Sequence, residues 1–136
     1  MTFEDWQLGV PVAITGDSLW KMEAYRIGLF LSDLAWSDGA KLVKELRTRS
    51  IADQVCRAAG NISSNIAEGY SRGTGKDRSR FYDYALGSAR ETRDWYFKAR
   101  HVLGTKVATH RLDITTQLIK LLIRMSANER KINARL

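Results

Sequence analysis

The chain has 136 residues, of which 44% are hydrophobic and 27% are charged. This length and composition are typical of one globular domain spanning residues 1–136, and they argue against a disordered or collagen-like chain. The formal net charge of +7 is uneven, because residues 1–40 hold two basic and six acidic residues whereas residues 41–136 hold 20 and nine. A strongly basic region attracts polyanions such as RNA or DNA, although it also serves solubility or an acidic protein partner.

Cysteine usage and hydropathy bear on the compartment. Cys56 is the single cysteine, so no internal disulfide forms, and on an apolar helix face we expect it to be a small core residue rather than a reactive thiol. The sequence lacks the charged start and following apolar run that are typical of a signal peptide, so none is predicted. Charged residues also interrupt the long apolar stretches. These features predict a cytoplasmic protein without a membrane-spanning helix.

The first third of the chain contains a short mixed segment and one strongly apolar helix. Residues 1–17 are predicted to form an extended N-terminal segment that packs on a neighbouring subunit. A helix is predicted over about 18–36, with Asp17 or Ser18 as its cap and a glycine-containing stop at 37–39. Apolar residues surround this helix on nearly all sides, so we expect a second buried face that is used for contact between subunits.

Three further helices follow a short connecting helix at 40–49. Capping signatures predict helix starts near 50 and 75, and glycines help to predict the ends, which gives helices over about 50–71 and 75–103. A fourth helix is predicted over about 109–132, after Gly104. Four amphipathic helices with short links are typical of an all-α, antiparallel up-down four-helix bundle.

A polar stripe runs along the second long helix. Two asparagines and a glutamate are spaced i, i+4 and i+7 over residues 61–68, and an arginine lies one turn earlier on the same face. One interpretation is a binding site for a ligand or a partner. The favoured one is a structural network between helices, because buried polar groups are usually paired internally. Its predicted members are Arg57, Asn61, Asn65, Glu68 and Ser88, with Arg90 as an alternative partner of Glu68.

The stripe is part of a longer pattern over residues 54–91. Residues 65–69 read NIAEG, with Arg72 three residues later, and residues 81–91 follow the pattern F-x-x-x-A-x-GS-x-x-E. In this pattern the chain resembles the prokaryotic four helix bundle protein family. That family includes proteins encoded in intervening sequences of 23S ribosomal RNA genes and accessory variability proteins of diversity-generating retroelements. The resemblance implies a basic, non-enzymatic, ring-like homopentamer, whose partner in the retroelement branch is a reverse transcriptase.

A glycine-rich loop with basic residues joins the second and third helices. Residues 73–76 are similar to part of a phosphate-binding loop, but Tyr70 and Asp77 stand where that motif needs Gly and Ser or Thr. The loop still precedes a helix N-terminus, where free amides and the helix dipole favour an anion. A phosphate backbone is one interpretation, and a solvated hairpin loop is an equal alternative. The candidate residues are Arg72, Lys76, Arg78 and Arg80.

A second set of basic residues lies along the third and fourth helices. Together they would follow a polyanion with weak sequence selectivity, since no RNA-binding signature accompanies them. The alternative is a solvated charged face, or local pairing with Glu68, Glu91 or Asp94. The candidates are Arg90, Arg93 and Arg100 in the third helix and Lys120, Arg124, Arg130, Lys131 and Arg135 in the fourth.

Catalytic and metal chemistry have little support in the sequence. The two histidines, His101 and His110, lack the Glu-x-x-His spacing of di-iron bundles, and no pair of nucleophile and base emerges. We therefore predict no enzymatic activity, no metal and no cofactor. The leading hypothesis is an accessory protein that binds RNA or DNA electrostatically and docks a partner such as a retroelement reverse transcriptase. The alternative is a homo-oligomeric interaction scaffold without nucleic-acid binding.

Overall fold

The structure, a computed structural model, describes residues 1–135, with side chains as far as Ile132. Every regular element in this part of the chain is helical, which confirms the predicted all-α class. Within it, no helix has the length and apolarity needed to span a bilayer. The elements in chain order are α1 (Phe3–Leu8), α2 (Val12–Thr15), a 3-10 turn (Ser18–Lys21), α3 (Glu23–Leu42), a second 3-10 turn (Leu46–Thr48), α4 (Arg49–Tyr70), α5 (Gly75–Lys98), α6 (Arg100–Leu103) and α7 (Thr105–Arg135).

Four long helices, α3, α4, α5 and α7, enclose one apolar core. In sequence order each packs against the next, and α7 also contacts α3. Leu31 and Ile62 are fully buried, as are Leu118 and Leu122, and burying an aliphatic side chain of this size contributes about 1.5–3 kcal/mol. Because helical residues three and four positions apart share a face, the apolar spacing of each helix produces this core.

Two glycines allow α3 and α4 to pack closely. A Cβ at Gly28 would lie 3.4 Å from Ile62, and one at Gly39 would lie 3.3 Å from the Cys56 sulfur. Early residues of α3 therefore face late residues of α4 and the reverse, so the two helices run antiparallel. Cys56 is half-buried in this interface, its thiol donates to the Ala35 carbonyl at 3.4 Å, and burial raises its pKa. These features match a packing role rather than a reactive thiol.

The ends of the long helices differ from the predicted ones because of contacts distant in sequence. The predicted stop at 37–39 lies inside α3, since Asp38 is buried among other helices and Gly39 packs against α4. The connecting helix predicted at 40–49 is wrong: α3 extends to Leu42, and a 3-10 turn leads into α4. Helix α5 ends at Lys98, and α7 begins at Thr105, directly after Gly104, whose φ of 85° favours glycine.

The N-terminal segment, residues 1–21, is helical, so the predicted extended conformation is wrong. The Thr2 side chain caps α1 by accepting a hydrogen bond from the Asp5 amide at 3.1 Å. The Trp6 ring lies 5.4 Å from Phe30 of α3, and its indole donates to Asp33 at 2.8 Å. The apolar excess of α3 is thus covered in part by the protein's own N-terminus, a long-range contact that local patterning does not reveal.

Candidate nucleic-acid interface

The polar stripe of α4 makes its contacts within its own helix or just beyond its end. Arg57 pairs with Asp53 at 3.0 Å, Glu68 pairs with Arg72 at 3.0 Å, and the Asn65 amide donates to the Asn61 carbonyl at 2.8 Å. These local pairs replace the predicted ion pairs of Glu68 with Arg57 or Arg90. The predicted hydrogen bond between an asparagine amide and Ser88 is likewise not among the contacts of the described residues. The contact that Ser88 does make is through its carbonyl, which accepts from Thr92 at 2.7 Å. The reason is geometric, because Arg57, Asn61 and Glu68 are exposed, pointing away from the helices that α4 packs against.

A buried ion pair that sequence reasoning missed joins α3, α5 and α7. Asp38 is 2% exposed, and both of its carboxylate oxygens accept from Arg111, at 2.8 and 3.0 Å. The Tyr96 hydroxyl also donates to Asp38, at 2.7 Å. Burial and the Asp38 charge raise the pKa of Tyr96. Burial disfavours charged Arg111, but its hydrogen bonds to Asp38 and the Asp38 charge outweigh that effect and raise its pKa.

This cluster has the properties of a structural lock. Every polar group in it is paired, and the bidentate geometry orients the guanidinium. His110 lies beside it, with its Nδ1 at 2.6 Å from Arg111, and burial lowers the pKa of His110, with a further lowering by the Arg111 charge. In the sequence Asp38 stands beside Gly39 near the end of a largely apolar helix, and by local pattern alone these residues predict a helix stop.

The basic residues around the glycine-rich loop are largely engaged by the protein itself. Arg78 forms a 2.8 Å ion pair with Glu129 of α7 and donates to the Arg72 carbonyl at 3.0 Å. Arg80 lies 3.8 Å from Asp77, and its guanidinium is 5.0 Å from the centre of the Phe81 ring. Arg72, besides its pair with Glu68, lies 4.7 Å from the same ring. Lys76 is exposed at the start of α5. The loop is therefore tied to α7, and the acidic partners offset most of its charge.

Four basic residues of α5 and α7 have no carboxylate partner among the described residues, and we call them the basic face: Arg90, Arg93, Lys120 and Arg124. Arg90, Lys120 and Arg124 are exposed and form no ion pair among the described residues. Arg93 donates to Thr116 of α7 at 3.3 Å, and Lys120 lies one helical turn after Thr116, so the two helices place their cations side by side.

Of the remaining candidates, Arg100 and Arg130 are engaged by other groups of the protein. Arg100 donates to the Phe97 carbonyl at 2.9 Å, and its guanidinium lies 4.0 Å from the centre of the Phe97 ring. Arg130 pairs with Asp83 at 3.3 Å, and Lys131 is exposed. The side chain of Arg135 is outside the described residues. The sequence thus predicted the region, and the structure shows that Arg130 in it is neutralised by a carboxylate, whereas the basic face, Arg100 and Lys131 have no carboxylate partner among the described residues.

Comparison with known proteins identifies the family. The family model described as 23S rRNA-intervening sequence protein matches residues 22–124. The chain belongs to this family. A crystal structure from Bacteroides thetaiotaomicron VPI-5482, of a protein with unknown function from the S23 ribosomal protein family, is similar in fold: the TM-score is 0.70 and the identity is 21%, over 76% of this chain and 97% of that one. No curated protein matches the chain.

The extent of the 23S rRNA-intervening sequence protein match separates two parts of the chain. It includes α3 to α6, most of α7 and all four residues of the basic face, while the N-terminal segment precedes it. The family assignment confirms the resemblance inferred from the NIAEG pattern. The likeness to the solved structure shows a shared fold and carries no information about function.

Proposed function

We propose that this protein is a non-enzymatic, cytoplasmic accessory protein that binds RNA or DNA through its basic face. The proposal includes an up-down four-helix bundle assembled as a homopentamer, and a docked partner such as a retroelement reverse transcriptase. The observation that supports nucleic-acid binding is the positive charge of the basic face, which no carboxylate of the described residues neutralises. Arg90, Lys120 and Arg124 are exposed and have no acidic partner among the described residues. Bringing a polyphosphate to such cations releases its condensed counterions, which drives association.

The binding expected from this arrangement is electrostatic and weakly selective. Each phosphate neutralised adds about 0.9 to the slope of log affinity against log salt for a duplex. The formal charge of +7 per chain is repeated in every subunit, so an oligomer strengthens the field at the surface and increases the rate of encounter.

The test is a titration of a labelled RNA–DNA hybrid at several salt concentrations. We expect affinity to fall steeply as salt rises, and R90Q/K120Q to lower the slope by about two. The matched control is K41Q/K44Q, which removes two exposed positive charges at the end of α3, outside the basic face. Absence of binding at low salt, or equal losses in the two double variants, contradicts a role for the basic face.

A second candidate, an interaction scaffold, is favoured by an exposed apolar patch at the far end of α3. We call Trp36, Val43 and Leu46 the end patch. Trp36 is 79% exposed, Leu46 is 78% exposed and Val43 is also exposed, and Trp36 and Val43 line one surface pocket. Exposed apolar groups clustered in this way often mark contacts with other chains. Such a contact agrees with oligomer formation, whether or not the assembly binds nucleic acid.

Light scattering tests the oligomer, and the end patch provides the variant. We expect a mass of about five times the 15.4 kDa chain, and a smaller mass for W36S/L46S. A monomeric wild-type protein contradicts both the pentamer and the scaffold. A pentamer that ignores nucleic acid favours the scaffold alone. Docking of a reverse transcriptase is tested by co-purification with the enzyme of a neighbouring retroelement, where no co-elution contradicts it.

A further inference from the structure

An exposed aromatic side chain lies at the edge of the basic face. Phe97 of α5 is 52% exposed, although it is apolar and belongs to a helix whose other face is buried. Arg100 holds its guanidinium 4.0 Å from the ring centre and is fixed by its hydrogen bond to the Phe97 carbonyl. The guanidinium covers one face of the ring and holds the ring in place, so a planar ligand would stack on the other face.

Phe97 is also part of a surface pocket between α5 and α7. Its lining combines an apolar portion, Phe97 and Leu112, with Arg90 and Arg93. Asp94 completes the lining and opposes an anion, but its carboxylate forms an ion pair with Lys98 at 2.6 Å. Arg93 is oriented by its hydrogen bond to Thr116. The pocket therefore offers a stacking surface directly beside two cationic side chains.

We infer that this pocket binds an unpaired base of single-stranded nucleic acid, with the base on Phe97 and the adjacent phosphates on Arg90 and Arg93. The inference rests on the proposed function and adds to it a preference for single strands over duplexes. In a duplex the base faces are stacked on one another, so the apolar part of the pocket has nothing to contact. A single strand presents base faces and phosphates together, and aromatic rings beside a positive groove are how proteins bind it without sequence selectivity.

The test compares single strands with a duplex of the same length, about 20 nucleotides, by fluorescence anisotropy. The probes are labelled oligothymidine DNA, oligouridine RNA and a mixed-sequence DNA duplex. We expect F97L to weaken binding of both single strands about tenfold while duplex affinity changes less than twofold. R90Q should weaken all three. The matched control is Y84L, which removes an aromatic side chain of similar exposure, 50%, from the same helix without touching the pocket.

The outcomes separate the inference from the proposed function. If wild-type protein binds no nucleic acid, both fail. If it binds all three probes in a salt-dependent manner but F97L equals wild type, or F97L and Y84L lose affinity equally, the single-strand pocket is overturned and electrostatic binding survives. Ultraviolet crosslinking of a bromouridine strand gives a second readout that does not depend on a variant. The crosslinked peptide should contain Phe97, and crosslinks confined to other peptides overturn the inference.

Discussion

Two groups of cations in this protein have opposite environments. Arg111 and Arg78 are held by carboxylates on other helices, and their side chains are 14% and 24% exposed. Arg90 and Lys120 are exposed and have no acidic partner among the described residues. Sequence spacing alone does not distinguish the two groups, because the partner of each buried cation lies more than 50 residues away. The difference teaches that basic composition measures potential for binding, whereas the local carboxylates decide which cations are available.

The strongest test of the buried group is Arg111→Met. This change leaves the Asp38 carboxylate buried without its cation, and we expect a loss of about 3–5 kcal/mol in unfolding free energy, measured by denaturant titration. The triple variant D38L/Y96F/R111M should recover much of that loss, since it replaces both charges by apolar groups of similar size and removes the Tyr96 hydroxyl, which would otherwise lose its acceptor. A loss below about 1 kcal/mol for Arg111→Met would mean that the ion pair does not lock α3 to α7.

Alkaline pH tests the buried surroundings of the Arg78–Glu129 pair through Tyr82, whose pKa is affected by both charges. Burial, with a further contribution from the Glu129 charge, raises the pKa of Tyr82 from 10.0 to about 12. Because the pKa of Tyr82 is higher in the folded than in the unfolded state, its contribution to the unfolding free energy is fully present below pH 10. That contribution falls by about 1.4 kcal/mol per pH unit between the two pKa values and is lost as the pH rises through about 12. Y82F should flatten this part of the stability curve. Tyr96 contributes in the same direction and provides the residual slope; an unchanged slope in Y82F contradicts the assignment.

Arg78→Met should have an intermediate effect. Both members of its pair with Glu129 are partly exposed, so solvent screening reduces the cost to about 1–2 kcal/mol. The double variant R78M/E129Q, which removes the pair without changing the net charge, should keep full nucleic-acid affinity, since the charge of Arg78 is already neutralised by Glu129. Salt titration of binding alongside thermal unfolding checks both statements. Weakened binding with unchanged stability would move Arg78 into the group of available cations.

The fold could be predicted from the sequence where contacts are local, and not where they are distant. The helical class and the start of α5 followed from apolar spacing and from the cap Thr74, whose side chain accepts from the Asp77 amide. The start of α4 was predicted to within one residue, but the capping box predicted at Ser50 is wrong, because α4 begins at Arg49 and Thr48 before it makes no side-chain cap. The extension of α3 through Asp38 could not follow, because Arg111 satisfies it from 73 positions away. The helical N-terminal segment depends on Phe30 and Asp33 in the same way.

The candidate site shows the same division. Spacing identified Arg90 and Arg93 as one line on α5, and Lys120 and Arg124 as a second line on α7. It did not show that Arg78 and Arg130 are neutralised by carboxylates of another helix. Nor did it distinguish Phe97, at 52% exposed, from the fully buried Tyr96 beside it, since adjacent residues on a helix point in directions about 100° apart.

The smallest expected effect on stability belongs to R90Q/K120Q, and it is the sharpest test of the comparison. Exposed cations without partners contribute little to folding, so we expect the unfolding free energy to change by less than about 0.5 kcal/mol. Removing two like charges from a basic surface relieves some repulsion, which makes a slight stabilisation the favoured sign. Denaturant titrations at low and high salt measure it, and the difference from wild type should vanish at high salt. A loss of unfolding free energy above about 1 kcal/mol would show that these side chains support the fold. Only the binding measurements would then support their availability to a polyanion.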